Sequence, residues 1–345
     1  MNPLFTNLIT FIRTASSSII AIVGAMIGSS ILLLLTGINP FSVYSLIITE
    51  ATGTEFGINK TLVETVPFVM TVVGLLISFR ASLWNIGGLG QMFIGALFAN
   101  VIGYSLGFLP SILLIPLTLL AGFVGGLVWA LFPGLLKAKL GINEIITTLL
   151  LNFVAINLIH FLIKGILRNE LEPFPQTYPI APGAVLQKIP GTQIHIGIFF
   201  AIAITIIVHI LMVKTRLGFQ IKLMGESLKA ARYAGLPIAK LTIVVFILSG
   251  GIIGLAGAIQ VTAVMKNVNP DWNPAYGLEA VPLVFLSKMN VIVAALLAFL
   301  YSIFFVGVDI MQRTVGLPIY FREVFLGLML TLFTISEVTR KFLPR

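Results

Sequence analysis

Apolar runs of about 20 residues, the length that a helix needs to cross the roughly 30 Å hydrocarbon core of a bilayer, recur along the whole sequence. Of the 345 residues, 58% are hydrophobic and only 10% are charged, which is far from the composition of a soluble domain. Because backbone polar groups must find partners within the chain in lipid, such runs predict helices. We therefore expect an all-α, polytopic membrane protein in which residues 1–345 form a single transmembrane domain.

The apolar pattern predicts about ten transmembrane or re-entrant segments. The eighth is too short to cross alone, so we expect a broken or re-entrant piece, whose backbone must be covered by protein or must line a water-filled cavity. The predicted segments are Ile19–Ile38, Thr65–Phe79, Leu83–Leu106, Leu109–Leu131, Ile142–Ile163, Ile196–Val213, Leu241–Val264, Val281–Leu286, Val291–Ile310 and Val324–Thr339.

Glycine pairs recur at a spacing of four residues within these segments. Examples are Gly24/Gly28, Gly122/Gly126 and Gly250/Gly254. Small residues at this spacing let helix backbones approach one another closely in lipid, so we expect these pairs at helix contacts.

The net charge of +9 comes mainly from basic residues that stand between the apolar segments. Bases in this position are typical of topology signals, so we expect no nucleic-acid partner. Under the positive-inside rule they place both termini and the loop 214–240 on the cytoplasmic side of the membrane, and the proline-rich loop 165–195 on the outer side. The bases placed inside are Arg13, Arg80, Lys137, Lys139, six in the loop 214–240, Lys288, Arg340, Lys341 and Arg345.

Polar side chains within apolar segments are costly in lipid, which makes them candidates for function. Most of them are amides, which favours a pathway for a neutral, hydrogen-bonding solute over an ion or proton relay. The alternative is that some of these amides only bond one helix to another. The candidates are Asn85, Gln91, Asn143, Glu144, Asn152, Asn157, Gln260, Glu279, Asp309 and Gln312.

The sequence shows no pattern for catalysis, metal binding or nucleotide binding. Cysteine is absent, and His160, His195 and His209 are scattered, with no acid or second histidine at ligand spacing. No glycine is followed by lysine, so a Walker A sequence is absent as well. We expect no catalytic residue, metal or cofactor in this chain. If ATP drives it, another chain binds ATP and Mg²⁺ and hydrolyses the ATP.

The basic loop 214–240 contains a segment suited to binding a partner. The stretch Gly225–Lys240 opens with Glu226, continues through good helix formers and reaches Gly235 and Pro237, which form a fitting helix stop. The pattern predicts a helix of about two turns on the cytoplasmic side. Such a helix fits a groove on another protein, and the alternative is a basic loop that rests on anionic lipid.

Four stretches of the sequence resemble a known family, the inner-membrane permeases of bacterial ATP-binding-cassette (ABC) importers of the branched-chain amino acid, ribose and nucleoside type. They are Ser82–Ala96, Gly141–Ala155, Gly225–Pro237 and Val306–Pro318, in the family's order. The Asn-Ile-Gly of the first stretch and the Asn-Glu-x-Ile-x-Thr of the second are most similar to the nucleoside branch. One position differs, because Leu89 stands where nucleoside-type relatives commonly have an acid.

The resemblance implies a type II-like permease fold and a transport complex. Two permease subunits, often two different chains, lie in the bilayer on a pair of ATPase subunits, and an extracytoplasmic binding protein or lipoprotein delivers a nucleoside or a related simple sugar. By this resemblance, the coupling helix that docks on the ATPase comprises Glu226, Ala230, Ala231, Arg232 and Gly235. The residues expected near the substrate pathway are Asn85, Gln91, Asn143, Glu144 and Asn152, of which the last two lie about two helical turns apart.

Two other classes of protein remain as alternatives. An ion-coupled secondary transporter of a small polar solute would normally show intramembrane acids and inverted repeats, whereas this sequence has one broken segment and no convincing repeat. A membrane-embedded enzyme would need a nucleophile–base pair or a metal cluster, which the sequence does not assemble.

Overall fold

The computed structural model describes residues 3–272 and 275–342, so Arg345 of the predicted inner bases lies outside the described residues. Within the described ranges no strand forms, and an isolated antiparallel bridge pairs Lys188 with His195. The predicted all-α class is confirmed. The α-helices of these ranges are α1 (Pro3–Leu35), α2 (Pro40–Thr52), α3 (Glu55–Arg80), α4 (Gly88–Ser105), α5 (Ser111–Leu140), α6 (Glu144–Lys164), α7 (Gly197–Lys214), α8 (Arg216–Glu226), α9 (Leu228–Tyr233), α10 (Ile238–Gln260), α11 (Tyr276–Leu286), α12 (Val291–Thr314) and α13 (Phe321–Phe342).

Seven helices of the described residues are long and apolar enough to cross a membrane. They are α1 from Ser17 onward, α3, α5, α6, α7, α10 together with the turn that follows it to Met265, and α12. α4 and α13 have 18 and 22 residues but are not among these seven, and α11 has only 11 residues, in agreement with the short eighth segment. The chain is therefore a multi-pass membrane protein, and about ten crossings stay a prediction.

Several helix ends differ from the predicted segments. α2 was not predicted, although Asn39 caps it and Pro40 opens it. α4 begins at Gly88 and not at Leu83, because the intervening residues form a non-helical connection. α5 continues beyond the predicted end to Leu140, where Gly141 ends it in the left-handed conformation with φ of +67°.

The chain divides into two compact units. One comprises residues 1–61, 285–288 and 300–345, and the other comprises residues 62–284 and 289–299. Every residue predicted for the pathway or for the coupling helix belongs to the second, larger unit. That all 345 residues act as one transmembrane domain stays a prediction.

In the larger unit, α4 is a buried helix in contact with α5, α6 and α10. α4 and α10 are in direct backbone contact, since a Cβ added to Gly95 would lie 2.4 Å from the Cα of Gly254. A Cβ on Gly254 would lie 2.3 Å from the carbonyl oxygen of Gly122, and one on Gly126 would lie 2.2 Å from that of Gly250. The predicted role of these glycines in helix packing is confirmed.

In the smaller unit, α1 and α13 pack together and share buried polar contacts. Gly24 and Gly28 face leucine side chains of α13, whose methyl carbons would lie 2.6 and 2.9 Å from an added Cβ. Glu337 of α13 accepts hydrogen bonds from the Ser17 hydroxyl at 2.6 Å and from the Lys288 ammonium at 2.7 Å. The partly buried carboxylate of Glu337 is thus paired with a cation and a hydroxyl.

Candidate functional site

One end of the larger unit brings together several helix ends around a cavity. A space of about 550 Å³, which we call the inner cavity, is lined by the residues that directly follow α3, by the C-terminal end of α5, by the N-terminal ends of α6 and α10, and by the short helices α8 and α9. This end is strongly positive. Its bases are Arg80, Lys137, Lys139, Lys214, Arg216, Lys222, Lys229, Arg232 and Lys240, against the acids Glu144 and Glu226.

The segment predicted to hold one coupling helix forms two helices. α8 ends at Glu226, and Ser227 separates it from α9. The Ser227 hydroxyl caps α9 by accepting a hydrogen bond from the Ala230 N–H at 3.2 Å. Glu226 therefore closes one helix and does not open the next. The signal for this break is the serine itself, whose side chain competes for backbone donors.

The predicted helix stop at Gly235 is confirmed. Gly235 adopts the left-handed conformation with φ of +72°. The Leu236 N–H donates to the Ala231 carbonyl at 3.1 Å, and the Gly235 N–H donates to the Arg232 carbonyl at 3.0 Å. These two bonds form a Schellman motif, which satisfies the last carbonyls of α9 and fixes the direction of the chain into α10.

α9 has a buried side chain that packs against the larger unit, and exposed aromatic, apolar and basic side chains on its outer surface. Ala231 is fully buried against the unit, whereas Tyr233 is 90% exposed and Leu228 is 46% exposed. Lys229 and Arg232 are exposed on the same short helix. Tyrosine and arginine are typical anchors of protein interfaces, so the outer surface of α9 is suited to binding another protein.

The end of α8 lies directly on the connection between α3 and α4 (Ala81–Gly87). A Cβ on Gly225 would lie 2.0 Å from the carbonyl oxygen of Arg80, so only glycine allows this approach. The Ser82 hydroxyl donates to the Gly225 carbonyl at 2.8 Å. Ser82 itself has a φ of +55°, which is unfavourable for a residue with a Cβ. The end of α8 is therefore in direct contact with the start of the α3–α4 connection.

One of the predicted pathway residues, Glu144, lines the inner cavity, and Asn143 directly precedes it in the sequence. Asn143 caps α6, because its Oδ1 accepts the Ile145 N–H at 2.9 Å. Glu144 follows it, lines the cavity and pairs with Lys137 of α5, with 2.6 Å between Nζ and Oε2. The Glu144 side chain is 8% exposed, so the pair holds α5 and α6 together in a poorly solvated place.

Two further pathway candidates, Asn85 and Gln91, form a reciprocal amide pair. The Asn85 Nδ2 donates to the Gln91 Oε1 at 3.1 Å, and the Gln91 Nε2 donates to the Asn85 Oδ1 at 2.9 Å. The Asn85 Nδ2 also donates to the Ser249 hydroxyl of α10 at 2.9 Å, and its Oδ1 accepts the Gly87 N–H at 3.0 Å. All of these groups are buried. The pair therefore fixes the α3–α4 connection between α4 and α10.

The fifth candidate, Asn152 of α6, satisfies the other side of the same connection. Its Oδ1 accepts the Gly90 N–H, and its Nδ2 donates to the Ile86 carbonyl, both at 2.9 Å. Thr148, one turn earlier on α6, accepts the Ile86 N–H at 3.2 Å. Non-helical backbone at membrane depth is tolerated when its polar groups find partners, and these side chains supply them. That any of the five residues contacts a solute stays a prediction.

Sequence reasoning missed the far partners of this network and a second polar cluster. Ser249 and Thr148 carry hydroxyls that could serve their own helix, so no sequence signal separates the two uses. In the second cluster, the Tyr276 hydroxyl donates to Glu64 at 2.6 Å and accepts from the Gln260 amide at 3.2 Å. Glu64 was overlooked because it immediately precedes the predicted segment that begins at Thr65.

Two of the histidines take packing positions. Among the described residues no group of three histidine, cysteine, aspartate or glutamate side chains could hold a metal ion. The His160 Nε2 lies 3.1 Å from the Pro270 carbonyl. His195 is buried just before α7, and this burial, together with the nearby charge of Lys188, lowers its pKa to about 4. His195 is therefore neutral at physiological pH.

Comparison with known protein families identifies the family of this chain. The model of the family described as branched-chain amino acid transport system / permease component matches residues 57–334. The chain belongs to this permease family. The resemblance seen in the four sequence stretches is thus confirmed, and the chain is a permease subunit of a membrane transport system.

Relatives with named functions match most of the permease. It is 28% identical to the glucose ABC transporter permease protein TsgB13 of Haloferax volcanii, over 94% of this chain and 88% of the relative. It is 27% identical to the nucleoside ABC transporter permease protein NupB of Lactococcus lactis, over 95% and 92% of the two chains. For the guanosine ABC transporter permease protein NupP of Bacillus subtilis the identity is 26%, over 70% of each.

A solved structure of a putative metal-chelate type ABC transporter, in an inward-facing conformation, is also similar to the permease. The two chains share 17% sequence identity with a TM-score of 0.46, and the match covers 91% of the permease and 98% of that chain.

Proposed function

We propose that this permease is the membrane-spanning subunit of an ATP-driven importer that carries nucleosides or a related simple sugar. The named relatives carry glucose, nucleosides and guanosine as ABC transporter permeases, which supports this solute class. The observation that carries the mechanism is the contact between Gly225 at the end of α8 and Arg80 at the end of α3, where the α3–α4 connection begins. ATP and Mg²⁺ are bound by a separate ATPase subunit, and this chain converts its movement into a change of access.

The first step of the proposed mechanism is docking of α9 on the ATPase. α9 is a capped, separately terminated helix with an exposed aromatic ring at Tyr233 and exposed bases at Lys229 and Arg232. Its caps at Ser227 and Gly235 let it move as one piece. The orientation of this end towards the cytoplasm is supported by its charge, since the bases on these elements outnumber the acids.

The second step is transmission to membrane depth. Because α8 touches Arg80 and Ser82 directly, closure of the ATPase pair would press on the α3–α4 connection. That connection is held by Asn85 and Gln91 on one side and by Asn152 on the other. In this proposal the amides act on the pathway by positioning the backbone of the connection, and they exchange partners when access switches.

The inner cavity gives α9 room for this movement. Arg232 of α9 lines it together with Glu144 of α6, which Asn143 caps. When α9 moves, the space between it and the ends of α5 and α6 must change in volume. The paired Lys137 and Glu144 keep these two helix ends together while it does so.

On the opposite end, the loop 165–195 is proposed to meet the extracytoplasmic binding protein or lipoprotein. The loop is anchored to the residues after α10, since the Thr177, Ile180 and Leu186 N–H groups donate to the carbonyls of Val268, Lys266 and Thr262 at 2.8–3.0 Å. Beyond these anchors Phe174 is 78% exposed. A fixed loop with an exposed ring is suited to docking another protein, and a second permease chain would complete the transport pathway.

Reconstitution tests the proposal. The permease would be co-expressed with an ABC ATPase, a second permease and a binding protein encoded beside it, in a host that lacks nucleoside uptake. We expect saturable, ATP-dependent uptake of labelled nucleosides that pentoses do not compete away, and no uptake with an ATPase variant that cannot hydrolyse ATP. Uptake of pentoses alone would move the permease to sugars, whereas uptake driven by an ion gradient without ATP would overturn the proposal.

A further inference from the structure

α8 is amphipathic in a way that docking of α9 does not use. Its inward face consists of Gly218, Ile221 and Met224, which are buried. Its outward face carries Arg216, Phe219 and Lys222, at a spacing of three residues, and the Phe219 ring is 64% exposed. A large aromatic side chain between two cations on an exposed helix face needs a partner of matching chemistry.

The position of α8 places its first turns at the lipid-facing edge of the unit. In the last turn of α7, Ile210 and Val213 are exposed apolar side chains of a candidate membrane span, which suits contact with lipid. α8 folds back tightly on that turn, because a Cβ on Gly218 would lie 2.2 Å from the carbonyl oxygen of Leu211. The outward face of α8 therefore begins where the span leaves the hydrocarbon, at Lys214.

The charge on this face matches an anionic membrane surface. Lys214, Arg216 and Lys222 are exposed bases, and Glu226 at the far end of α8 is the acid that follows them, 3.8 Å from the Lys222 ammonium. Bases combined with an aromatic ring on the face of an amphipathic helix are the features that bind the headgroup region of anionic bilayers. The ring reaches the boundary with the acyl chains, and the bases bind phosphate.

We propose that the outward face of α8, formed by Arg216, Phe219 and Lys222, binds anionic phospholipid headgroups together with Lys214 at the end of α7. This inference goes beyond the proposed function, because it depends neither on the solute nor on the ATPase. It separates the basic segment into two parts. α8 is held at the membrane surface, and α9 remains available to a protein partner.

Site-directed fluorescence tests the inference directly, since the chain contains no cysteine. A Phe219→Cys permease carries an NBD fluorophore in bilayer nanodiscs, and quenching is measured with doxyl-labelled phosphatidylglycerol or with doxyl-labelled phosphatidylcholine. The matched control carries the fluorophore at Tyr233→Cys on α9. We expect strong quenching at position 219 with a clear preference for phosphatidylglycerol, and weak quenching by either lipid at position 233.

Charge variants then decide whether the preference is electrostatic. Arg216→Gln and Lys222→Gln in the labelled Phe219→Cys background are expected to lower the preference for phosphatidylglycerol about fivefold per base removed, from the usual contribution of a base near an anionic surface. Lys240→Gln, which removes an exposed base outside α8, is expected to leave it unchanged. Monodisperse elution of each variant confirms folding.

Two results would overturn the inference. Equal quenching by both lipids at position 219 would show that the face has no preference for anionic lipid, and absence of quenching there would show that it does not reach the membrane. Because no solute or ATPase is present in this experiment, either result leaves the proposed transport function standing. Loss of transport in the reconstituted importer, in turn, leaves the lipid measurement valid.

Discussion

At the scale of single residues, the contacts among α4, α5 and α10 depend on the absence of side chains. The carbonyl oxygens of Gly122 and Gly250 lie where a Cβ of the facing helix would be. Such main-chain contact provides dispersion and weak Cα–H···O interactions that larger residues would prevent. A methyl group added to one of these glycines would therefore overlap with backbone atoms of the facing helix.

We therefore predict that Gly254→Ala destabilises the permease by about 1–3 kcal/mol, the range of overpacking in close-packed interiors. The added methyl would lie 2.3 Å from one backbone oxygen and 2.7 Å from the Cα of Gly126. The measurement is the temperature at which the purified protein in detergent loses its monodisperse elution. Gly327→Ala is the matched control, because nothing lies within 4 Å of its added methyl. Equal midpoints for the two variants would contradict the packing argument.

How far the residues of the site could be predicted depends on where their partners lie in the sequence. The apolar context singled out Asn85, Gln91 and Asn152 as polar groups at membrane depth, and all three are buried there. Their pairing could not be predicted, because Asn85 bonds to Ser249, a residue 164 positions away. A serine within an apolar run gives no indication of the residue to which its hydroxyl will bond.

At the scale of elements, α9 gives the sharpest prediction. In the variant Ala230→Pro, the proline removes the N–H that bonds to Ser227 and pushes Lys229 out of helical conformation, at a cost of about 1–2 kcal/mol. We expect solute uptake by the reconstituted importer to fall about tenfold, the change that 1.4 kcal/mol produces, while ATP hydrolysis continues. Ala230→Ser keeps the backbone donor and is expected to transport normally.

Normal uptake by the Ala230→Pro variant, with the protein present at its usual level in the membrane, would rule out docking through α9. Loss of the permease from the membrane in this variant would be separated from uncoupling by quantifying it in the same vesicles. An equal loss of solute uptake in the Ala230→Ser variant would indicate that this position tolerates no change. The loss in Ala230→Pro could then not be attributed to the hydrogen bond between Ser227 and the Ala230 N–H.

The helices that the sequence predicted differ from those that it missed in the length of their continuous apolar runs. Long apolar helices such as α6 and α7 agree with the predicted segments within a few residues, because lipid demands length and hydrophobicity together. α8 was missed because polar residues interrupt its apolar ones, so that no continuous apolar run forms, and α2 because its 13 residues are too few to cross. The helix break at Ser227 depends on one local hydrogen bond, which hydropathy averaged over many residues does not reveal.

At the scale of the whole molecule, the charge distribution predicts the orientation in the membrane. From the bases around α8 and α9 we predict that this end lies in the cytoplasm and that the loop 165–195 lies outside. Because the chain has no cysteine, single replacements report on each side, and Tyr233 and Phe174 are both well exposed.

We predict that a membrane-impermeant maleimide labels Phe174→Cys in intact spheroplasts and labels Tyr233→Cys only in inside-out vesicles. Both variants should react fully after solubilisation in denaturant, which controls for expression and reactivity. The reverse pattern would invert the topology and would exclude docking of α9 on a cytoplasmic ATPase.

The burial of α4 has a consequence for how the protein is made. α4 contacts α10, yet the Asn85–Ser249 bond joins residues 164 positions apart, so at about 5–20 residues per second roughly 10–30 s pass between their synthesis. During that interval Asn85 and Gln91 can bond to each other, but the Ser249 hydroxyl of α10 is absent. Until α10 is made, α4 also lacks one of the helices that cover it. We therefore expect insertion of the nascent chain to be sensitive to added polar residues in α4.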